Sequence, residues 1–217
     1  MQTHIEVAAR FVLSASISPR LYLASASPRR RELLTQIGLA FLPLPQTVDE
    51  TWRQGESAED YVQRVAGDKA RAGWQDSRRL LDLPVLAADT SVVCDGEVLG
   101  KPASLQEARD MLLRLSGRSH RVLTAVALVW HERRLVELVS TEVSFRPLLP
   151  AEVDAYWYSG EPQDKAGAYG IQGLGALFVS GIVGSYSNVV GLPLFETARL
   201  LEQFGISSLA LLKERVA

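Results

Sequence analysis

Apolar and polar residues along the chain switch between the period of a strand and the period of a helix. Residues 21–24 (LYLA) form a short apolar strand. The following PRRRELLTQIG places Leu33, Leu34 and Ile37 at helical spacing and stops at Gly38. After the extended FLPLP stretch, Ser57 is placed to cap a helix running to about Trp74, with Glu59 and Asp60 in its first turn. VLAADTSVVC reads as a buried strand, Asp95-Gly96 as a hairpin turn, and EVLG as the return. SLQEARDMLLRLSG has the clearest helix pattern: Ser104 is the N-cap, Glu107 completes a capping box, and Gly117 lies just past the end. Two β-rich runs, RVLTAVALVW and RLVELVSTEVSF, join near Glu132. A helix follows Pro150 and ends near Gly160, and PLFETARLLEQFG forms the terminal helix. Hairpins beside strand–helix crossovers predict an α/β domain with a mixed, twisted sheet flanked by helices.

Length and composition narrow this picture. The 217 residues suffice for one well-buried core or at most two small lobes. No linker, repeat or low-complexity tract divides residues 21–217, which read as one domain; residues 1–20 read as a poorly ordered N-terminal extension. That extension lacks a basic start and a long apolar stretch, so it is not read as a signal peptide, and its SASISPR is a chance echo of the later SASPRR. No run of 18 apolar residues occurs, which excludes a helical membrane span. With 23 Lys+Arg against 25 Asp+Glu, the near-neutral charge disfavours nucleic-acid polymers and anionic membranes as partners. A single cysteine, Cys94, excludes an intrachain disulfide and fits a reducing, cytoplasmic compartment. Three scattered histidines leave no zinc-type cluster, so a metal would have to be held by oxygen.

Four segments carry candidate chemistry. In SASPRRR, Ser27 suits an N-cap and Pro28 the first helical position, with Arg29 and Arg30 next. A capping box would put an acid where Arg30 stands. Cations oppose the helix dipole there, so anion binding is favoured over a solvated basic turn. In AADT, Asp89 lies at the end of an apolar strand, where open α/β sheets gather ligand-binding residues. Counting back from the Asp95-Gly96 turn pairs Thr90 with Lys101, and contact between Lys101 and Asp89 then requires the strand to end or twist, as Pro102 favours. An acid merely neutralised by a nearby lysine fits the spacing equally well. Lys69 falls on the apolar stripe Val62, Ala66, Gly73, where a lysine either snorkels or reaches into a site. Residues 160–191 hold 8 of the 16 glycines, which lets backbone approach a ligand. Asp164, Lys165, Tyr169 and Gln172 are the polar groups of that segment, and Gln172 offers both a donor and an acceptor to a base edge. A flexible surface loop is the alternative. Glu50 shows no pattern beyond its place between the first two helices, Cys94 reads as a core residue, and His120 and His131 receive no role.

Taken in order, LYLASASPRRRELL, VDE, DKA, LAADT, GKP, LSG, DKAGAYGIQG and SYSNVVGLPL resemble the Maf family of nucleotide pyrophosphatases over about residues 21–205. DKA stands where many relatives have EKA, a change that keeps Lys69 and an acid before it. The resemblance implies an α/β fold similar to that of inosine triphosphate pyrophosphatases, with a cleft between two lobes. It implies hydrolysis of a nucleoside triphosphate between the α- and β-phosphates, assisted by a divalent cation (Mg2+, Mn2+ or Co2+). Asp89 then corresponds to the proton-accepting aspartate, with Glu50, Lys69 and Lys101 as catalytic partners and Glu50 and Asp89 as metal ligands. Ser27, Arg29, Arg30, Thr90, Asp164, Lys165 and Gln172 correspond to the substrate-binding set, among which Arg29, Thr90 and Gln172 select the base. The GIQG segment resembles the dTTP/UTP branch rather than the 7-methyl-GTP branch. A homodimer is implied as well. Turnover of another nucleotide, or a non-catalytic nucleotide-binding regulator of septum formation, is the alternative.

Overall fold

The computed structural model describes residues 18–210; most of the predicted N-terminal extension, residues 1–17, lies outside the described residues, as do residues 211–217. Among the described residues the strands are β1 (Leu21–Leu23), β2 (Phe41–Pro43), β3 (Val85–Cys94), β4 (Glu97–Leu99), β5 (Ser119–Trp130), β6 (Arg133–Phe145) and β7 (Val179–Val183). The helices are α1 (Pro28–Gln36), α2 (Ala58–Gln75), α3 (Leu105–Leu115), α4 (Pro150–Trp157), α5 (Tyr186–Val190) and α6 (Leu194–Glu202). The predicted caps form where the sequence places them. The Ser27 hydroxyl accepts the Arg30 N–H, that of Ser57 the Asp60 N–H, and that of Ser104 the Glu107 N–H. The capping box is displaced by one residue, because the Glu107 carboxylate takes the N–H of Ala103 at 2.8 Å and not that of Ser104.

One mixed sheet runs β2-β1-β3-β5-β6-β7, with β4 paired to the far half of β3. β1 is parallel to β2 and β3, while β3, β5, β6 and β7 are successively antiparallel. β5 pairs with β3 continuously from Val85 to Val93. On the opposite side, β1 reaches only Val85 and Leu86, and β4 pairs only with Val92, Val93 and Cys94. The middle of β3 therefore has a strand partner on one side alone. Asp89 and Thr90 sit in that gap. A split of this kind leaves room for a ligand beside a strand, by the same logic that puts ligands at the switch points of open α/β sheets.

The hairpin corrects one expectation. Asp95 (φ 53°) and Gly96 (φ 79°) form the tight turn, and Cys94 faces Glu97 as predicted. The ladder ends at Val92–Leu99, so the extrapolated pairing of Thr90 with Lys101 does not form. The Gly100 carbonyl instead accepts the Gly167 N–H at 3.0 Å, which draws the chain away before Lys101 and Pro102.

Alternation along β3 divides the packing. Val85, Ala87 and Val93 face one way into a core with Val62, Ala66 and Ala70 of α2. Leu86 and Ala88 face the other way into a core with Leu33 and Leu34 of α1 and Leu200 and Leu201 of α6. Beyond the gap, Val92 and Leu99 join Leu112 of α3, Val153 of α4, Tyr169 and Phe178 in a third cluster. The first core runs along the whole α2 face of β3, reaching Val93 and Val98, while on the opposite face the second core clads the β1 half of the sheet and the third the β4 half. On that opposite face the gap in β3 lies between the second and third cores.

His120 belongs to the third region, buried with its Nε2 2.8 Å from the Tyr169 hydroxyl. Burial lowers its pKa from 6.5 to about 4. The unfolded chain therefore binds a proton between pH 6.5 and 4 that the folded chain refuses, and stability falls as pH drops through that window. The wild-type protein is expected to lose about 3 kcal/mol there from this residue. In His120→Gln that portion of the pH dependence disappears, as urea unfolding at stepped pH will measure.

Candidate active site

Asp89 lies at the centre of the gap. By alternation its side chain projects on the α2 side of the sheet, and Lys69 on α2 meets it: Nζ to Asp89 Oδ1 is 2.8 Å. The same ammonium lies 2.7 Å from Glu50 Oε1. Lys69 is the stripe lysine that reaches into a site and does not snorkel, with a side chain only 11% exposed. Asp89 is 12% exposed, whereas Glu50 is half exposed at 51%. One cation thus joins a buried carboxylate to a carboxylate at the solvent edge.

Glu50 is brought there by backbone contacts that sequence patterning does not reveal. Three successive carbonyls are held by α2 side chains: Asp49 and Thr51 by Arg64, and Glu50 by the Tyr61 hydroxyl at 3.0 Å. Arg64 is itself clamped by Glu56 at 2.6 and 2.8 Å. Tyr61 stacks on Trp52 with ring centroids 5.0 Å apart. Burial, together with the nearby charges of Asp89 and Glu50, pushes its phenol up to about 12, so it stays a neutral donor to that carbonyl.

Thr90 points to the other face of the sheet and belongs to a different network. Its hydroxyl accepts from Arg30 Nη2 at 3.1 Å. Arg30 also donates from Nη1 to the Ser25 hydroxyl at 3.1 Å and from Nε to the Gly191 carbonyl at 2.8 Å. Arg30 is therefore not available to the anion site expected at the start of α1. Arg30 turns inward and is 9% exposed, and burial lowers its pKa despite the opposing field of Asp89. Gly191 allows this approach because its φ of 123° is open to glycine and strained for other residues. Behind Thr90, the Thr124 hydroxyl lies 3.0 Å away and contacts the Asn188 carbonyl at 3.0 Å. The Asn188 side chain is fully buried and donates to the Val122 carbonyl and the Thr141 hydroxyl, each at 2.9 Å. Asn188 lies within the quoted SYSNVVGLPL run, yet its role required a fold in which residue 188 lies against β5.

The glycine-rich segment is tied down rather than free. Glu161 organises it: its carboxylate accepts from the Tyr156 hydroxyl (2.7 Å), Leu174 N–H (2.8 Å) and Gly175 N–H (3.1 Å). A methyl group on Gly173 would collide with that carboxylate, so the glycine serves a close approach. Lys165 donates to the Glu161 carbonyl and to Asp164 Oδ1, both at 2.7 Å, and Asp164 lies 3.8 Å from Arg29. Partial burial raises the Asp164 carboxyl, but the Lys165 hydrogen bond and the charges of Lys165 and Arg29 outweigh it and leave the pKa lowered. Glu161 had no signal in the sequence because two of its three partners are backbone N–H groups of the following loop.

The predicted residues thus gather in three groups: Glu50–Lys69–Asp89, Arg30–Thr90, and Arg29–Asp164–Lys165. Ser27 is committed to capping α1, accepting the Arg30 N–H at 3.5 Å. Lys101 and Gln172 are exposed and have no polar side-chain partner among the described residues. No group of three or more His, Cys, Asp or Glu side chains that could hold a metal occurs among the described residues. Glu50 and Asp89 share one ammonium, however, and two carboxylates completed by phosphate oxygens make a donor set of the kind Mg2+ accepts. The residues fit such an ion. No helix among the described residues is long and apolar enough to cross a membrane.

Comparison with known proteins finds similar sequences over most of the chain. The family model described as Maf-like protein matches residues 20–204. A protein of Bordetella avium named dTTP/UTP pyrophosphatase is 60% identical over 196 residues, covering 87% of this chain and 97% of that protein. One of Methylococcus capsulatus with the same name is 55% identical, covering 89% and 95%. Among solved structures, the Staphylococcus aureus Ham1 protein matches at a TM-score of 0.40 and 15% identity, over 58% of this chain and 71% of that one.

Proposed function

Since the chain belongs to the Maf-like protein family, we propose that it is a nucleoside triphosphate pyrophosphatase that converts dTTP and UTP to dTMP and UMP plus diphosphate. The observation that carries this reading is the Lys69 ammonium, shared between Asp89 and Glu50 in the gap of β3. Lys69 occupies Asp89 Oδ1 and fixes the carboxylate, while Oδ2 accepts no hydrogen bond among the described residues. Oδ2 is the oxygen that receives a proton from water. As that proton leaves, the water oxygen forms a bond to the α-phosphorus, the bond from phosphorus to the bridging oxygen breaks, and diphosphate departs with the electron pair. Asp89 and Glu50 would hold a divalent cation, which supplies charge neutralisation at the phosphate oxygens.

Charge on the departing diphosphate is balanced by Lys69, by exposed Lys101, and by Lys165 of the glycine-rich loop. Arg30, with its donors committed to Ser25, Thr90 and Gly191, contributes its field and holds Thr90 in place. Thr90, Arg29 and Gln172 read the base. Gln172 is exposed beside Ile171, which is anchored in the core, and this suits a side chain that closes on a ligand. We extend the proposal to a cytoplasmic enzyme acting as a homodimer, in keeping with its nucleotide substrates and the family resemblance.

The test is a panel of dTTP, UTP, CTP and 7-methyl-GTP incubated with Mg2+, Mn2+ or Co2+, with diphosphate release followed for each. Turnover of dTTP and UTP well above the other two is expected. Preference for 7-methyl-GTP would transfer the chemistry to another base, and binding with no diphosphate under any of the three metals would favour a regulator.

A further inference from the structure

We propose that Thr124, a residue with no access to substrate, sets the base selectivity of this site by fixing the direction of the Thr90 hydroxyl; this rests on the reading above, in which Thr90 faces the pyrimidine. Four groups form one chain: Arg30 Nη2 to Thr90 Oγ1 (3.1 Å), Thr90 Oγ1 to Thr124 Oγ1 (3.0 Å), and Thr124 Oγ1 to the Asn188 carbonyl (3.0 Å). Either hydroxyl could donate in the middle contact taken alone. The ends remove that freedom. A guanidinium only donates and a carbonyl only accepts, and each hydroxyl owns one proton. Thr124 spends its proton on Asn188, so the proton between the two threonines belongs to Thr90.

The consequence lies at Thr90. Its one proton points away into the protein, and one lone pair is taken by Arg30. What remains toward the gap is an acceptor and nothing else. Thymine and uracil carry an N–H at N3, whereas cytosine has a bare N3 that needs a donor. A site whose hydroxyl is locked as an acceptor therefore favours the first two and opposes the third, with no steric difference required. The far end of the chain is rigid. Thr124 and Asn188 are both fully buried, and the Asn188 amide is held by Val122 and Thr141, so the carbonyl that fixes the polarity does not move.

Thr124→Val keeps the shape and removes the hydroxyl. Thr90 then recovers a free proton, and the ratio of kcat/KM for dTTP over CTP is expected to fall by about tenfold or more. Thr124→Ser restores the chain and with it the wild-type ratio. A merely structural role would lower turnover of both nucleotides in parallel, and an unchanged ratio in a folded Thr124→Val protein overturns the inference. If that variant does not fold, Thr124→Cys, whose sulfur is a weak acceptor, carries the same expectation and the same contradiction. A wild-type enzyme that hydrolyses CTP as fast as dTTP overturns the substrate reading, and this inference with it. A selective wild type with an unchanged variant ratio overturns this inference alone.

Discussion

Asp89→Asn is expected to lower kcat for dTTP by about 10³-fold while leaving the fold intact. Asparagine has nearly the shape of aspartate, and its Oδ1 still accepts the Lys69 hydrogen bond that Asp89 receives at 2.8 Å. Lys69 keeps Glu50 as a counter-charge, so the variant does not strand a buried cation. The group that disappears is the carboxylate oxygen able to take a proton from water. Diphosphate release under saturating dTTP, with circular dichroism to check folding, measures the effect. Near-normal turnover in a folded variant would remove Asp89 from the chemistry and leave the three-residue cluster as a structural ion pair.

Lys69→Met should impair both activity and stability, for one physical reason. The methionine preserves most of the apolar stem within α2 but removes the charge between Asp89 and Glu50. A carboxylate only 12% exposed is then left without its cation. Breaking such a pair from one side costs about 3 kcal/mol, far more than the intact pair contributes. For a domain of this size that corresponds to a melting temperature lower by roughly 6–12 °C. Turnover should fall by about 10²-fold, because an oriented positive charge beside the developing phosphate charge has gone. The double variant Lys69→Met with Asp89→Asn separates the two effects. It should recover much of the lost stability, since the carboxylate still unpaired, Glu50, is half exposed to water, and none of the activity. Failure of the double variant to recover stability would show that Lys69 contributes through packing and not through charge.

Local features were legible in the sequence wherever their cause is local. Ser27, Ser57 and Ser104 cap the predicted helices because a serine hydroxyl finds its N–H three residues on. Asp95-Gly96 makes the predicted turn because both residues tolerate positive φ. Lys69 could be placed on the apolar stripe of its helix, but its reach toward Asp89 depends on α2 lying against β3, a relation that no short window contains. The split of β3 between β1 and β4 is still less local, since it requires three strands to be registered together. For the same reason the inward turn of Arg30 escaped a reading based on its helix start. Its Nε partner, the Gly191 carbonyl, is 161 residues away, and the sequence alone suggested an exposed anion site. Glu161 and Asn188 were missed because their partners are backbone groups, which every residue carries, and single hydroxyls, Tyr156 and Thr141, that only the fold brings beside them.

In the proposed reaction, water activated by Asp89 attacks the α-phosphorus. Hydrolysis of dTTP in water enriched in oxygen-18, with the products separated and weighed by mass spectrometry, tests it most directly. One labelled oxygen is expected in dTMP and none in the diphosphate. Label in the diphosphate with unlabelled dTMP would place the attack on the β-phosphorus and contradict the mechanism, and release of orthophosphate with dTDP would contradict the assigned activity altogether.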